Sequence, residues 1–575
     1  MKRYWKYIRP YIQYYILGPC FMMMEVVGDV LLPYMLAKII NQGIAEKNVV
    51  YIIKIGVIMG FIAVIMAVGG VLGAWFASKA AMNFGADLRM DLFEKIQQFS
   101  FQNIDNFSTG SLITRLTNDI TQIQNMIMMT LRMCLRSPGI LIGAMVMAFV
   151  ISPKLAAIFI IVLPVLAVLI VVIMRRAFPQ FRTLQEKLDA LNSCIQEGLV
   201  GIRLIKSFVR GDYEEMRFEK RNQQLKEANL TAMKTMLLYT PLMTLALNIT
   251  TVVVVWSGGN MIVAGNMQVG DLTAFTNYIV QIMSSLTMLS IAFLNWARAI
   301  ASFRRVGEVL DEKIDLTDEN AKHKDRAVCE GSVEFQNVSF RYYKNSPEWV
   351  IENISFKLEA GKTLGIIGST GSGKSTLVSM IPRLYDTDEG TVLIDGINVR
   401  DYGLKPLREG IGMVLQNNTL FSGSITENLK WGDEDADEKA VRKAAQNAQA
   451  AGFIDSFKDG YRTHLEQSGN NVSGGQKQRL CIARALLKCP KILILDDSTS
   501  AVDTATERAI REALHSEYKD MTKIIIAQRI RSVMDADEIL VLDNGKTAGF
   551  GTHEQLLADC PVYREIYDVQ NGREE

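Results

Sequence analysis

The sequence lacks three features that mark large classes of proteins. Its net charge is only +1 over 575 residues, so there is no basic excess to favour nucleic acid, and we expect no nucleic-acid partner. Its seven cysteines have no paired spacing, which argues against both a disulfide framework and a zinc site. The basic, aromatic start MKRYWKYIRPYIQYY has no small-residue cleavage site. We therefore interpret it as an anchor on a membrane surface and not as a removed signal peptide.

Hydrophobic residues, by contrast, are abundant and unevenly placed. They make up 49% of the chain, with long apolar runs in the first half and an ordinary soluble α/β composition in the second. A membrane-spanning helix needs about 20 mostly apolar residues. The segments that meet this requirement are 14–40, 51–76, 131–151, 155–174, 236–264 and 272–300. The sequence therefore predicts a six-span helical membrane domain at 1–305, a polar linker at 306–330 and an α/β domain at 331–575.

The loops between these spans differ in length and in charge. Those after the second and fourth spans are long and basic, whereas the short loops contain only Lys47 and Lys154. The positive-inside rule then places both long loops, both termini and the α/β domain in the cytoplasm. We expect a multi-pass protein of a cell membrane, most simply the inner membrane of a bacterium.

Several predicted spans carry polar or charged residues. Glu25 and Asp29 are four residues apart and share one helix face. Such charges are costly in a membrane and tend to face a cavity or another charge, so a substrate pathway is one interpretation. The other is that the arginines lie at the cytoplasmic end and extend their heads to the interface. The remaining residues of this kind are Arg132, Arg136, Asn248, Asn295 and Arg298.

The α/β half contains the motif GIIGSTGSGKSTL, in which a strand leads through a glycine-rich loop into a helix. Backbone amides of such a loop and the helix start bind phosphate. Lys374 is expected to reach the β and γ phosphates of ATP, and the Ser375 hydroxyl to bind Mg²⁺. Further on, ILILDD predicts the neighbouring strand, with Asp496 beside the magnesium. The predicted nucleotide-binding loop comprises Gly368, Ser369, Thr370, Gly371, Ser372, Gly373, Lys374, Ser375 and Thr376.

A second anion site is predicted in the segment NNVSGGQKQRLCIARALL. Ser473, Gly474 and Gly475 open an amphipathic helix, whose first amides are free to bind an anion. One domain does not need two such sites for one nucleotide. We therefore predict that this site closes over a nucleotide held by a second domain.

These motifs, in this order behind six spans, resemble an ABC transporter of the exporter type: a half-transporter with its membrane domain fused to an ATPase. The resemblance implies that Tyr342 stacks on adenine, that Gln416 contacts Mg²⁺ and senses the membrane domain, and that Gln476 completes the signature Ser-Gly-Gly-Gln. Segments 106–119 and 201–215 resemble the coupling helices that dock onto ATPase domains. The implied substrates are amphipathic drugs, lipids or peptides.

Two positions depart from the family pattern, which has glutamate and histidine where this chain has Asp497 and Gln528. Both are assigned as catalytic residues of a weakened site, because the acid that activates water is shorter and glutamine cannot become charged. Since the signature stays intact, the sequence predicts the degenerate subunit of a heterodimeric exporter, with a different half-transporter as partner. An ATP-gated regulatory or channel-like protein, or a slow homodimeric exporter, are the alternatives.

Overall fold

The computed structural model describes residues 2–344, 346–498 and 502–570. By contacts between Cα atoms it divides into two compact units, Met1–Gln97 with Gly110–Asp311, and Gln98–Thr109 with Glu312–Glu575. The predicted polar residues Asn295 and Arg298 have side chains that lie outside the described part.

The first unit is helical because its sequence consists of long apolar runs with few interruptions. Within the described residues, five helical stretches are long and apolar enough to cross a membrane: Trp5–Ile44, Val49–Gln97, Thr109–Ile151, Pro153–Val200 and Gly211–Val263. The sixth predicted span, 272–300, lies in a 43-residue helix, several of whose side chains are outside the described part. The α-helices up to the end of this unit are α1 (Trp5–Ile8), α2 (Ile12–Lys38), α3 (Val49–Gln97), α4 (Phe101–Asp105), α5 (Thr109–Thr114), α6 (Ile120–Met133), α7 (Arg136–Ile151), α8 (Pro153–Val200), α9 (Ile202–Ser207), α10 (Gly211–Leu237), α11 (Tyr239–Val263) and α12 (Val269–Asp311).

Helix α12 continues beyond residue 305, where the sequence predicts the linker to begin. Val306 and Val309, three residues apart on one face, are fully buried. One turn earlier, Ser302 Oγ donates a hydrogen bond of 2.8 Å to the buried carboxylate of Asp119. Arg305 Nε donates a second one, also of 2.8 Å, to the same carboxylate. The polar residues among 306–311 therefore belong to the amphipathic end of α12, and the irregular segment starts only after Asp311.

The second unit contains two larger sheets. An antiparallel sheet has the order β2-β1-β4-β5, and a mainly parallel sheet has the order β12-β11-β3-β10-β9-β6. Central strands of the parallel sheet, such as β9 and β10, are buried along their whole length, as expected when both faces are covered. The strands are β1 (Val333–Phe340), β2 (Ile351–Leu358), β3 (Thr363–Gly368), β4 (Glu389–Ile394), β5 (Ile397–Asn398), β6 (Ile411–Val414), β7 (Gly423–Ser424), β8 (His464–Leu465), β9 (Ile492–Asp496), β10 (Thr522–Ile526), β11 (Glu538–Asp543) and β12 (Lys546–Gly551).

The strand order corrects one prediction. The ILILD strand β9 is not the neighbour of β3, because β10 pairs in parallel with both and lies between them. Periodicity identifies a buried strand but says nothing about its place in a sheet. The helices around the two sheets are α13 (Lys374–Ser379), α14 (Leu404–Glu409), α15 (Ile425–Leu429), α16 (Glu438–Asn447), α17 (Ala451–Ser456), α18 (Gly474–Leu487), α19 (Thr504–Glu517), α20 (His553–Asp559) and α21 (Pro561–Gln570).

A half-buried turn carboxylate fastens the end of the linker to the antiparallel sheet. Asp395 and Gly396 form the tight turn between β4 and β5, both with positive φ (50° and 74°), as Asp-Gly hairpin turns require. The Asp395 carboxylate accepts four backbone N–H bonds of 2.7–3.1 Å from residues 329–332. Burial raises the pKa of this carboxyl, but the four amides outweigh it and hold the pKa below its usual range.

We expect Asp395→Asn to lower the stability of this unit by about 1–2 kcal/mol at neutral pH, since hydrogen bonds to a charged acceptor are lost while the turn is kept. A depressed carboxyl pKa stabilises the folded state above the unfolded pKa of about 3.9. The difference between wild type and variant should therefore shrink as the pH falls below that value toward the folded pKa. Thermal unfolding of the full-length chain across this pH range measures it, with the exposed Asp520→Asn as control. An unchanged difference at low pH would show that the charge is not the cause.

Candidate nucleotide-binding site

The predicted nucleotide-binding residues gather at one edge of the parallel sheet. Strands β3, β10, β9 and β6 run in parallel, so their carboxyl ends meet at the same edge, where ligands bind in open α/β sheets. The phosphate loop follows β3, Asp496 ends β9, Gln528 follows β10 and Gln416 follows β6. The position of β10 beside β9 thus brings Gln528 to the acidic pair.

The phosphate loop needs glycine at two positions. Gly371 and Gly373 have φ of 85° and 90°, in the left-handed region that favours glycine. A side chain at Gly373 would also meet Ile351 Cγ2 at 2.6 Å. Inside the loop, Lys374 Nζ donates to the carbonyl oxygens of Gly368 and Ser369, at 2.9 Å and 2.7 Å. Burial lowers the pKa of Lys374, although two nearby aspartates oppose this. The Lys374 ammonium group is thus held against the backbone of the phosphate loop, where it could contact a bound phosphate.

The first acid of the pair is joined to the loop. Asp496 Oδ1 accepts a hydrogen bond from Ser375 Oγ at 3.0 Å, although the two residues are 121 positions apart. Burial raises the pKa of Asp496, against the effect of this bond and of Lys374. A hydroxyl and a carboxylate side by side are hard oxygen donors of the kind that Mg²⁺ prefers. The donor set present therefore fits a magnesium ion.

The second acid lies beside both predicted glutamines. Asp497 Oδ2 accepts a hydrogen bond from Gln528 Nε2 at 2.8 Å, and the nearby Gln416 side chain also stabilises the charged carboxylate. The backbone of Asp497 has φ of 46°, which turns the chain sharply after β9. Burial raises the pKa of Asp497, and the two amide partners and Lys374 oppose this. The structure thus brings both departures from the family pattern into direct contact.

The aromatic side of the site connects to a short helix. Tyr342 shares a hydrogen bond of 2.9 Å between its hydroxyl and Thr376 Oγ1, and its ring meets Tyr385 edge-on at 5.3 Å between centroids. The Tyr385 hydroxyl donates to Asp105 of α4 at 2.9 Å. Tyr385 therefore touches both the predicted adenine-stacking ring and α4.

Helix α4 belongs to the second unit and is held there by its own polar residues. Ser100 caps it and donates to Asp315 at 2.5 Å, and Asn103 donates to the Lys313 carbonyl at 2.9 Å. The predicted coupling segment 106–119 starts only after this helix, so the docked helix lies earlier than expected. Segment 201–215 contains α9, Ile202–Ser207, and its docking stays a prediction.

The predicted signature opens α18 with a reciprocal cap. Ser473 Oγ accepts from Gln476 N at 3.3 Å, and Gln476 Oε1 accepts from Ser473 N at 2.9 Å. Ser473 and Gly474 are exposed, so the start of this 14-residue helix is open to a ligand. Among the described residues, no hydrogen bond joins positions 473–476 to the phosphate loop. The structure therefore groups the predicted residues into a phosphate-loop cluster and a separate signature cluster.

Two contacts of the site were not foreseen from sequence. The first is Tyr385, which has no distinguishing motif around it. The second is Gln478, buried on α18, whose Nε2 approaches the Asp497 carbonyl at 3.4 Å. The amphipathic pattern of α18 marks Gln478 only as a residue on the inner face. Pairings over such sequence distances leave no local signal.

Comparisons with known proteins agree with this architecture. The family model "ABC transporter transmembrane region" matches residues 15–286, and the model "ABC transporter" matches residues 351–500. The chain is 39% identical over 574 residues, 100% of this chain and 99% of the relative, to the uncharacterized ABC transporter ATP-binding protein YfiB of Bacillus subtilis. It is 33% identical over 99% of both chains to the putative multidrug export ATP-binding/permease protein YgaD of the same organism.

The fold also matches a solved structure described as a bacterial Atm1-family ABC exporter with ATP bound. The TM-score is 0.81 at 24% sequence identity, and the match covers 98% of each chain. This likeness establishes the fold, while the matches of both halves and the full-length relatives establish the family. The chain therefore belongs to the ABC transporters, as a membrane-embedded half-transporter whose exporter-type membrane domain is fused to an ATPase domain that drives export with ATP.

Proposed function

We propose that this chain is the degenerate-site subunit of a heterodimeric exporter. Its own ATP site turns over slowly, and its signature completes the productive site of a different half-transporter. The observation that supports this is the Asp497–Gln528 pair, joined at 2.8 Å beside an otherwise complete phosphate loop. The weakened part of the site is confined to these two positions.

ATP binding by this chain needs only the intact part of the site. We assign Lys374 and the loop amides to the β and γ phosphates and Tyr342 to the adenine. Ser375 and Asp496 would hold Mg²⁺, with Gln416 nearby, and the ion would neutralise phosphate charge when bound. None of these residues departs from the family pattern.

Hydrolysis depends on the acid that orients water. An aspartate is shorter than the glutamate of the family by one methylene, about 1.5 Å. A misplacement of about 1 Å in a reacting group can cost on the order of a hundredfold in rate. The Asp497 carboxylate already accepts a hydrogen bond from Gln528 at 2.8 Å, so one of its oxygens is engaged by a side chain. The shorter acid and its bond to Gln528 support the proposal of slow turnover at this site.

The signature serves a nucleotide on another chain. Ser473 and Gly474 are exposed at a helix start, where amides and the helix dipole favour an anion. ABC exporters work as dimers, and in the dimer each nucleotide lies between one chain's phosphate loop and the other's signature. This chain would contribute an intact signature to a partner whose own acid is a glutamate.

The transported compounds are proposed to be amphipathic drugs, lipids or peptides, moved out of the cytoplasm or the inner leaflet of a cell membrane. The printed name of YgaD, a putative multidrug exporter, supports this class, as do the methionine-rich spans, since methionine adapts to varied apolar surfaces. The positive-inside distribution supports a cytoplasmic ATPase domain.

The full-length chain purified alone is expected to bind Mg-ATP but to hydrolyse it slowly. Fluorescent-nucleotide binding and phosphate release measure the two properties on one preparation. Lys374→Ala is the control, because it should weaken binding by removing the phosphate-binding cation. Rapid turnover by a demonstrated homodimer would contradict the division of labour between two different subunits and would favour a homodimeric exporter.

A further inference from the structure

An open cavity of about 520 Å³ lies among helices α2, α3, α6 and α7 of the membrane-spanning unit, and Ala67, Val71 and Arg132 in its wall are exposed. Its volume is in the range of small-molecule sites. The wall is mostly apolar and rich in methionine, and it carries three charged side chains. The lining residues are Met22, Glu25, Met66, Ala67, Gly70, Val71, Arg132, Met133 and Arg136.

Most of the charge around the cavity is internally paired. Arg136 Nη2 lies 2.9 Å from Glu25 Oε1 and 3.4 Å from Asp29 Oδ2, so one guanidinium holds both carboxylates. Gly70 faces the Glu25 carboxylate, and a Cβ at this glycine would meet Glu25 Oε2 at 3.4 Å. Both carboxylates therefore already form ion pairs with Arg136.

Arg132 is the exception. Among the side chains that the structure describes, none forms an ion pair or hydrogen bond with it, although it lines the same cavity. Within the same limits, Nε of Arg136 is buried without a hydrogen-bond partner. An unpaired charge in a membrane is costly and tends to mark a ligand or a functional pathway. The groups of this cavity that lack a partner among the described residues are thus the guanidinium of Arg132 and Nε of Arg136, both of which are positively charged hydrogen-bond donors.

The two arginines lie about one helical turn apart. Helix α6 ends at Met133 and α7 begins at Arg136, and the two residues between them, Cys134 and Leu135, keep right-handed helical backbone angles. Residues four positions apart share one side of a helix, so Arg132 and Arg136 both reach the cavity.

We propose that this cavity binds an amphipathic ligand through its anionic group, a phosphate or a carboxylate, with Arg132 as the counter-charge. The apolar part of the ligand lies against Met22, Met66 and Met133. This deepens the proposed export function, on which it rests, by naming the substrate class. The Glu25–Arg136–Asp29 cluster keeps Arg136 in place and leaves Arg132 to the ligand.

The test is binding of radiolabelled dodecyl phosphate to the full-length chain in phosphatidylcholine nanodiscs, without ATP. Arg132→Gln should weaken binding at least about tenfold, as expected for a lost charged hydrogen bond. Arg132→Lys should retain most of the affinity, and this variant keeps the test informative if the glutamine variant misfolds. Arg175→Gln, which removes an exposed arginine of α8 outside the cavity, is the matched control and should change nothing.

Two further experiments test whether the ligand is anionic or cationic, and whether it comes from the membrane or from the aqueous phase. Glu25→Gln should not weaken binding of dodecyl phosphate. If this variant loses that binding, and the wild type binds dodecyltrimethylammonium more tightly than dodecyl phosphate, the proposal is overturned in favour of a site for cationic ligands. Equal affinity of wild type and Arg132→Gln would overturn it as well. Competition by phosphatidic acid in the nanodisc would assign the site to a membrane lipid, and no competition to an amphipath from the aqueous phase.

This experiment is independent of the asymmetric ATPase. Because binding is read without nucleotide, rapid turnover at Asp497 would remove the degenerate-site proposal and leave the binding result unchanged. Failure of dodecyl phosphate to bind would remove the anionic-substrate proposal and leave the turnover predictions standing.

Discussion

Ser473→Arg is expected to abolish most ATP hydrolysis by the complex of this chain with its partner, at least about a hundredfold, as when a donor to a transition-state charge is removed. Ser473 is exposed at the start of α18, and its hydroxyl and the following amides would contact the γ-phosphate in the partner. A bulky side chain there prevents the two domains from closing on that nucleotide. Asp497→Ala, in the slow site, should reduce the steady-state rate far less.

Steady-state phosphate release from the two mutant complexes, measured side by side, compares these effects. Ser473 is also a helix cap, so its replacement destabilises α18 by about 1 kcal/mol whatever its role in hydrolysis. Thr552→Arg supplies the matched control, because Thr552 is an exposed residue that caps α20 with the same reciprocal arrangement with Gln555. It should leave hydrolysis nearly unchanged. If Asp497→Ala proves more damaging than Ser473→Arg, then Asp497 is a working base and the asymmetric proposal is wrong.

The parts of the site predicted from sequence are those whose signals are local. The phosphate loop lies between β3 and α13 because glycines with positive φ and a Lys-Ser helix start are adjacent in the chain. Asp496 ends a buried strand, as its apolar run indicates. Hydropathy likewise identifies the long helices of the first unit, whose apolar runs leave no other regular structure in a membrane.

The parts that were missed depend on pairing between distant segments. The place of β10 between β3 and β9 is set by packing of three equally apolar strands, which no periodicity distinguishes. The end of α12 at Asp311 depends on Val306 and Val309 finding buried positions. The chain of contacts from Tyr342 through Tyr385 to Asp105 joins residues up to 280 positions apart. Such contacts are properties of the folded chain and have no local signature.

The contact between Asp497 and Gln528 couples the two positions in any experiment on the acid. The two side chains share one hydrogen bond of 2.8 Å, so lengthening the acid alone would push its carboxylate into the amide of Gln528. Asp497→Glu alone would therefore change two things at once: the distance that the acid can reach and its steric contact with Gln528.

Asp497→Glu combined with Gln528→His is accordingly expected to raise ATP turnover by the purified full-length homodimer about tenfold to a hundredfold. The added methylene moves the carboxylate toward the attacking water, and the second change relieves the contact with Gln528. Each copy also carries the signature residues Ser473 to Gln476 that the other copy needs. The rate of phosphate release at saturating ATP measures the gain, with nucleotide affinity expected to stay within about twofold because Lys374, Ser375 and Asp496 are unchanged.

Asp496→Glu is the matched control: the same change one residue earlier disturbs the 3.0 Å bond to Ser375 and should lower turnover. If the double variant binds ATP normally but hydrolyses it no faster than wild type, the length of the acid is not what makes this site slow.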